Sequence, residues 1–359
     1  MKRKNKPEVY KNPKQLGDIT QAIFSNTGLS QPDFIGYTEE RGFNEAKWKK
    51  KDLTALVTTK DLSLLDPRKH KNEKQGYLIP NPPKIAVSQA KNLDTLLVLL
   101  EKQNRKRENA EQERVGDLDF SLSDYARTRG KSETELARGG KFLDELKRDL
   151  ISGGITSYVF EKEKSYLIQN FYGIEVPKTK SREKWRVYFN EPYRTFILEN
   201  KQYYPILLQA IQDKNNDNRK GYLYFFLKVV LSYANTNTNF KTQLKISTLL
   251  DKIKISDETK RKPQDSFRVL AECIYYTASQ YKVIKEVRFF NNGKCEKVKV
   301  ITDLEQFKEW SYNTFIKDVL TPLGLTDIRE ALISFNTPPK NIAEPTKKIK
   351  QTGKDKSTL

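Results

Sequence analysis

The chain has one histidine, His70, two cysteines, Cys273 and Cys295, and no long apolar run. A single histidine excludes a two-histidine metal grip, a histidine-paired nuclease centre and a Cys2His2 finger. The cysteines are too far apart for a CxxC motif and too few for a zinc knuckle. They read as ordinary reduced thiols, and no cofactor is expected. Leu96–Leu100 is a short apolar stretch and Tyr222–Ala234 is interrupted by Lys228, so no segment is expected to span a bilayer. No GxxxxGK[ST] loop is present, which removes a P-loop ATPase. The Lys-rich start, Met1-Lys2-Arg3-Lys4, runs into polar sequence, so no secretory leader and a cytoplasmic location are expected.

Positive charge is abundant. Lys and Arg number 66 against 46 Asp and Glu, a net +20 over 359 residues. A surplus of that size points to a polyanionic partner, with nucleic acid first. The length suits two domains with chain left for tails. Aromatic residues gather after Tyr158, which places the core in the last two-thirds.

Residues 1–84 are polar, basic and repeatedly broken by Pro and Gly, and read as a loosely structured arm carrying a few small elements. Asn81-Pro82-Pro83 marks a boundary, because each proline confines the residue before it to extended conformations. A first domain follows over 85–200. Leu93, Leu96, Leu97 and Leu100 predict a helix that runs into the charged, solvated stretch Lys102–Arg114. Leu118–Leu122 alternates as a strand. Ser123 is placed to cap a helix over Asp124–Arg129, ended by Gly130. Ser132-Glu133-Thr134-Glu135 matches a capping box, and the helix it opens carries Leu136, Leu143, Leu146 and Leu150 on one side. Two extended runs, Ile155–Phe160 and Ser165–Phe171, then form a hairpin signature. Helix, short strand, two helices and hairpin is the order of a winged helix-turn-helix.

The order recurs over 201–336. Tyr222–Tyr233 predicts an apolar helix and Phe240–Ile246 an extended segment, after which Ser247 is placed to cap a helix over Thr248–Lys252. Pro263 suits the first turn of a helix burying Phe267, Leu270, Ala271 and Ile274. Val283–Phe290 and Cys295–Ile301 flank Asn291-Asn292-Gly293, a hairpin signal because Asn-Gly takes positive φ readily. Laying Leu122-Ser123 over Ile246-Ser247 brings Leu143 onto Phe267 and Leu146 onto Leu270, as a diverged duplication would. Between the copies, the basic and aromatic Lys178–Tyr204 reads as a strand of the first domain leading into a linker or as a DNA-facing segment, with the strand reading preferred. Residues 337–359 have the composition of a disordered basic tail. The expected class is helix-rich α+β, with tandem winged helix-turn-helix domains between the arm and the tail.

Candidate DNA-contacting residues follow from these patterns. Arg138, Lys141 and Arg148 share a helix face away from the leucines, either presented to the major groove or simply a solvated basic face. Arg261, Gln264 and Arg268 have i, i+3, i+7 spacing and include side chains able to bond bidentately to guanine and adenine edges. Lys285, Arg288, Lys294, Lys297 and Lys299 alternate in part with Val283, Val287, Val298 and Val300, as in a wing with one wet, basic face suited to phosphate. A rival pattern is PD…ExK, from Pro32-Asp33 and Glu45-Ala46-Lys47, where two carboxylates would hold Mg²⁺ and a lysine assist water. Gly36, Gly42 and Asn44 between its halves argue against a paired strand core, which favours coincidence. His70 reads as an exposed loop residue.

The run Asp119-Phe120-Ser121-Leu122-Ser123-Asp124-Tyr125-Ala126-Arg127-Thr128-Arg129-Gly130, preceded by the Leu93–Leu100 helix and followed by Lys141-Phe142-Leu143-Asp144-Glu145-Leu146, resembles the first winged-helix domain of bacterial plasmid replication initiator (Rep) proteins. Tyr222–Ile301 resembles their second. The resemblance spans about 85–335 and rests on pattern and order rather than a catalytic motif. It implies a non-enzymatic protein that binds repeated origin sequences (iterons) in double-stranded DNA, initiates as a monomer, represses as a homodimer and recruits host replication proteins. The long arm before residue 85 and the basic tail depart from the usual pattern. A DNA-binding transcriptional regulator is the nearest alternative, since the same domains serve both roles.

Overall fold

The structure is a computed structural model. It describes residues 9–13, 33–38, 43–50, 53–60, 87–132, 134–135, 157–162, 165–170, 172–175, 184–191, 193–199, 203–216, 220–233, 243–253, 255–291 and 294–337. These form a helix-rich α+β arrangement with antiparallel sheets. Among them no helix is long and apolar enough to cross a membrane.

The arm contributes strands β1 (Val9–Pro13), β2 (Asp33–Thr38), β3 (Phe43–Lys50) and β4 (Leu53–Lys60). Helix α1 (Val87–Asn109) follows, and every residue from Ala90 to Glu101 is buried, on all sides of the helix. An amphipathic stripe would bury one face only. Here α1 lies between β1, the elements that follow it, and two helices from further along the chain. Its expected solvated end is only partly so: Arg114 folds back to ion-pair with Glu101 at 2.6 Å and Glu108 at 2.7 Å.

Strand β5 (Asp117–Phe120) buries Leu118 and Phe120 and exposes Asp119, as its alternation predicts. Helix α2 (Leu122–Thr128) starts two residues before the expected position, with Ser121 rather than Ser123 as cap. The Ser121 hydroxyl oxygen accepts from the Asp124 N–H at 3.0 Å. Gly130 takes φ +68°, and a Cβ there would also sit 2.9 Å from Gln212 Cβ, so glycine is required twice over. The capping box at 132–135 forms: the Ser132 N–H donates to Glu135 at 2.8 Å and the Glu135 N–H to Ser132 Oγ at 3.2 Å.

Strands β6 (Ser157–Lys162) and β7 (Ser165–Asn170) pair as the expected hairpin, but not as a wing. They extend the arm strands into a five-stranded sheet, β2-β3-β4-β6-β7. The strands that pair with β5 are instead β8 (Tyr172–Glu175) and β9 (Trp185–Phe189), in the order β5-β9-β8. The strand reading of the basic aromatic stretch is met at β9, whose Trp185, Val187 and Phe189 are buried. Helix α3 (Tyr193–Glu199), strand β10 (Tyr203–Leu207) and helix α4 (Leu208–Gln212) follow, with β10 paired to β1.

Helix α5 (Gly221–Tyr233) packs on α1 and carries a nearly continuous buried run from Leu223 to Leu227. Strand β11 (Leu244–Lys245) leads into α6 (Ile246–Lys252), whose N-cap is Lys245 with no side-chain bond, so Ser247 lies inside the helix rather than capping it. A short helix not expected from sequence, α7 (Asp257–Arg261), is capped by Ser256 and precedes α8 (Pro263–Tyr276). Pro263 starts α8 as expected, and Phe267, Leu270, Ala271 and Ile274 are buried. Its last turn widens into a π-helical segment, Thr277–Tyr281, ended by Lys282 at φ 55°.

Strands β12 (Glu286–Asn291) and β13 (Lys294–Ile301) form the second hairpin. The chain then makes α9 (Gln306–Glu309), α10 (Tyr312–Phe315), a π segment Ile316–Leu320, α11 (Thr321–Leu323) and a 3-10 turn Ile328–Glu330 before β14 (Leu332–Asn336). The sheet order is β11-β14-β12-β13. Both halves therefore share one scheme. A strand runs straight into a helix, at Leu122 and at Ile246, the positions that the internal alignment superposes. That strand then pairs with the last strand of its half, which sits between it and an intermediate one. One buried apolar cluster runs from Tyr10 through α1 and α5 to Phe335 and includes both halves.

Candidate nucleic-acid interface

Lys262 precedes Pro263 and takes φ −98°, ψ 111°, outside the helical region as proline demands of its predecessor. The break has a consequence for the candidate residues. Arg261 ends α7 and does not share a helix with Gln264 and Arg268, so the i, i+3, i+7 face is corrected to the pair Gln264 and Arg268. The turn is pinned from behind by Arg329, whose guanidinium donates to the Lys260 and Arg261 carbonyls at 3.4 and 3.3 Å while paired with Asp327.

Gln264 and Arg268 are exposed, one turn apart on α8. The Arg268 guanidinium lies 3.3 Å from Asp265 and its side chain is 75% exposed. Such an exposed pair contributes about 0–1 kcal/mol, so the guanidinium can exchange that carboxylate for another acceptor at small cost. Glu272, further along α8, is already engaged: Lys220 donates to it at 2.5 Å and the Tyr222 hydroxyl donates to its other oxygen. Burial and that carboxylate push the Tyr222 phenol well above its ordinary value.

The Gln264–Arg268 face borders an open groove of about 760 Å³. Its far wall comes from Phe307, Lys308, Trp310, Tyr312 and Asn313, residues that sequence reasoning did not single out. Lys308 is exposed and lies over the Tyr275 ring at 5.8 Å. Trp310 packs on Phe307 and Phe315, and the Ser311 hydroxyl oxygen caps α10 through the Thr314 N–H at 3.1 Å. The readable signal was Ser311 ahead of Tyr312–Phe315, a cap before a short apolar turn.

The hairpin cations are arranged differently from expectation. Lys285 and Lys297 are exposed, Lys299 and Arg288 are half-buried, and Arg288 is held by Glu286 at 2.5 Å. The register sets Phe289 opposite Lys299 and Val287 opposite Ile301, but Arg288 opposite Val300 and Phe290 opposite Val298. Opposed residues share a face. Lys299 therefore lies on the face of the buried Val287, Phe289 and Ile301, while Val298 and Val300 lie on the other and are exposed, and Lys297 falls at the register shift between the Phe290 and Asn291 pairings. The expected split, valines in and cations out, is reversed on β13, because it is an edge strand and its pairing parity is set by β12. None of these cations lines the groove. The side chain of Lys294 lies outside the described residues, as do Arg138, Lys141, Arg148 and His70.

The PD…ExK residues fall on β2 and β3, which pair despite the intervening glycines, with Asp33 opposite Lys47 and Gly36 opposite Glu45. The expectation that this segment lacks a paired strand core is corrected: a register shift between Phe34 and Gly36 absorbs the irregularity. Among the described residues no group of three or more His, Cys, Asp or Glu is placed to hold a metal ion. Cys273 is buried, and burial pushes its thiol well above the ordinary value.

No family model matches the chain, and a search of curated proteins finds none that matches it significantly.

Proposed function

We propose that this protein is a plasmid replication initiator that binds repeated origin sequences in double-stranded DNA through two winged-helix domains and recruits replication machinery. The observation that carries the reading is the scheme repeated in both halves: a strand feeding the helices, paired with a last strand that sits between it and an intermediate one. That is the strand arrangement a winged helix needs. In the second half the helix after the turn, α8, offers Gln264 and Arg268 to solvent, the two side-chain types suited to base edges. The net charge of +20 supplies the sequence-independent attraction. Strand opening in this reading is driven by binding energy on repeated sites rather than by bond cleavage.

The test is replication itself. The gene and its flanking DNA, joined to a selectable marker, should sustain a plasmid with no other initiator, and purified protein should protect repeats in that flank. Protection without plasmid maintenance would move the protein to transcriptional regulation. A second reading, a Mg²⁺-dependent nuclease, is favoured by one observation, the antiparallel pairing that sets Asp33 opposite Lys47. Incubating supercoiled plasmid with protein and Mg²⁺ decides it: nicking lost in both Asp33→Ala and Glu45→Ala would replace the initiator reading.

A further inference from the structure

Strand β13 lies at the edge of its sheet, with β12 as its one neighbour there. Val298 and Val300 on it are 42% and 46% exposed, the two exposed large hydrophobics among the described residues. Between them stands Lys299, half-buried, on the opposite face of the strand, and beside Val298 stands Lys297, exposed, at the register shift. Among the described residues, no backbone hydrogen bond outside the β12 ladder reaches residues 297–300. An edge strand presents outward N–H and C=O groups that template a further strand.

The sequence of the edge restricts what that strand can be. A second copy of β13 added antiparallel would have to choose a register. The registers that set Val298 against itself or against Val300 also set Lys297 against Lys299 or Lys299 against itself, and directly opposed like charges are destabilising. The register that sets Lys297 against Val300 and Lys299 against Val298 pairs each charge with an apolar neighbour. A second copy also brings a net charge of +20 to a surface of the same sign, which opposes self-association at long range. The complementary strand is one with carboxylates opposite Lys297 and Lys299 and apolar residues opposite Val298 and Val300. A chain of net charge +20 attracts such a segment at long range as well.

We propose that the outer edge of β13 takes up an extended acidic segment of a partner protein, in which Asp or Glu alternates with apolar residues, added as a further strand of the β11-β14-β12-β13 sheet. The main-chain ladder supplies affinity and the alternation supplies selectivity. The proposal uses the sheet edge and not α8, and of the candidate DNA-contacting residues it shares Lys297 and Lys299.

The experiment titrates the full-length protein, without DNA, into three fluorescein-labelled octapeptides: alternating aspartate and valine, the same peptide N-methylated at alternate residues, and alternating lysine and valine. The expected result is saturable binding of the first, weakened about tenfold or more by N-methylation, which removes ladder donors. In the double variant Lys297→Glu/Lys299→Glu the preference should invert, the acidic peptide losing about tenfold and the basic one gaining. Equal affinity for the methylated and unmethylated acidic peptides would reduce the effect to net charge and overturn the proposal. So would an unchanged preference in the double variant. Sedimentation of the wild type as a dimer that Val300→Lys dissociates would assign the edge to a second copy and likewise overturn it.

Discussion

Asp94 and Lys228, 134 residues apart in sequence, meet at 2.6 Å between α1 and α5 with side chains 2% and 13% exposed. The Tyr224 hydroxyl donates to the same carboxylate, and Lys91, one turn earlier on α1, donates to the Asp213 carbonyl at 2.8 Å. These bonds tie a helix of the first half to α5 and the loop before it. Removing one partner strands a charge in the interior, whereas replacing both need not, because desolvation offsets most of the pair's attraction. Lys228→Ala should therefore cost about 3–5 kcal/mol. The double variant Asp94→Leu/Lys228→Met should recover a substantial part. Urea unfolding of the full chain measures both, and equal losses would show that the pair's charge is not what matters.

The same junction has a steric contact. A Cβ on Gly221, the first residue of α5, would lie 2.1 Å from Val87 Cγ2 at the start of α1. Valine in a helix has one strongly preferred rotamer, so that methyl cannot swing away freely. Gly221→Ala should destabilise by about 1–3 kcal/mol as overpacking does, although alanine is the better helix former. Val87→Ala in the same chain removes the opposing methyl groups and should restore most of the loss. A double-mutant cycle by urea unfolding checks it; additive effects would place the two residues out of contact.

How much of this was legible depends on the range of the forces involved. Local chemistry was readable. The Ser132–Glu135 box, Pro263 at the first turn of α8 and the Asn-Gly hairpin each follow from residues within a few positions of one another. Cap choice failed by two residues at α2, where Ser121 and Ser123 both stand near the start, and at α6, where the one nearby serine, Ser247, falls inside the helix. Pairing over long separations was not readable. Nothing local says that β6 joins β4, far earlier in the chain, rather than β5, or that α4 and α5 from the second half complete the burial of α1. The split of Arg261 from Arg268 was available in principle, because the residue before Pro263 could not remain helical. The far wall of the groove, Phe307 to Asn313, comes from a tract whose short helices have no long periodic pattern.

Asp213 gives the junction a pH dependence. Burial alone would raise its carboxyl, but hydrogen bonds from the Tyr276 and Tyr281 hydroxyls and the Asn215 N–H outweigh it and hold the group below its ordinary value of 3.8. A carboxyl depressed in the folded state contributes stability that is present above its unfolded value and lost as the pH falls through the folded one. The contribution should begin to decline below about pH 4. At the other end Tyr276 is raised from 10.0 to about 12, by burial first and by Asp213 second. Its contribution is present below 10.0 and declines as the pH rises toward about 12. Urea midpoints across pH should show Asp213→Asn converging with the wild type in acid, and Tyr276→Phe flattening the alkaline limb. A constant gap between Asp213→Asn and the wild type from pH 7 to pH 2.5 would sink the assignment.

Arg268 is the residue on which the DNA reading is most exposed to test. It stands on the solvent face of α8, in a 3.3 Å surface contact with Asp265, beside Gln264. A guanidinium that reads a guanine edge contributes through bidentate bonds to one base pair, and its loss costs about 1–3 kcal/mol on the specific site while leaving binding to unrelated DNA nearly unchanged. A guanidinium that meets a phosphate contributes equally on both DNAs, and its removal lowers the slope of log K against log salt by about 1. The two roles separate in one experiment: Arg268→Ala and Arg268→Lys titrated with an iteron duplex and a scrambled duplex at several salt concentrations. Base reading predicts that Arg268→Ala loses discrimination and that Arg268→Lys, which keeps the charge without the fork, recovers little of it. Lys297→Ala/Lys299→Ala serves as the contrast, since lysines set on phosphate would weaken both duplexes alike and flatten the slope. If Arg268→Lys restores full discrimination, or if both duplexes lose affinity equally in Arg268→Ala, α8 does not read sequence, and the recognition surface has to be sought among the first-half residues Arg138, Lys141 and Arg148.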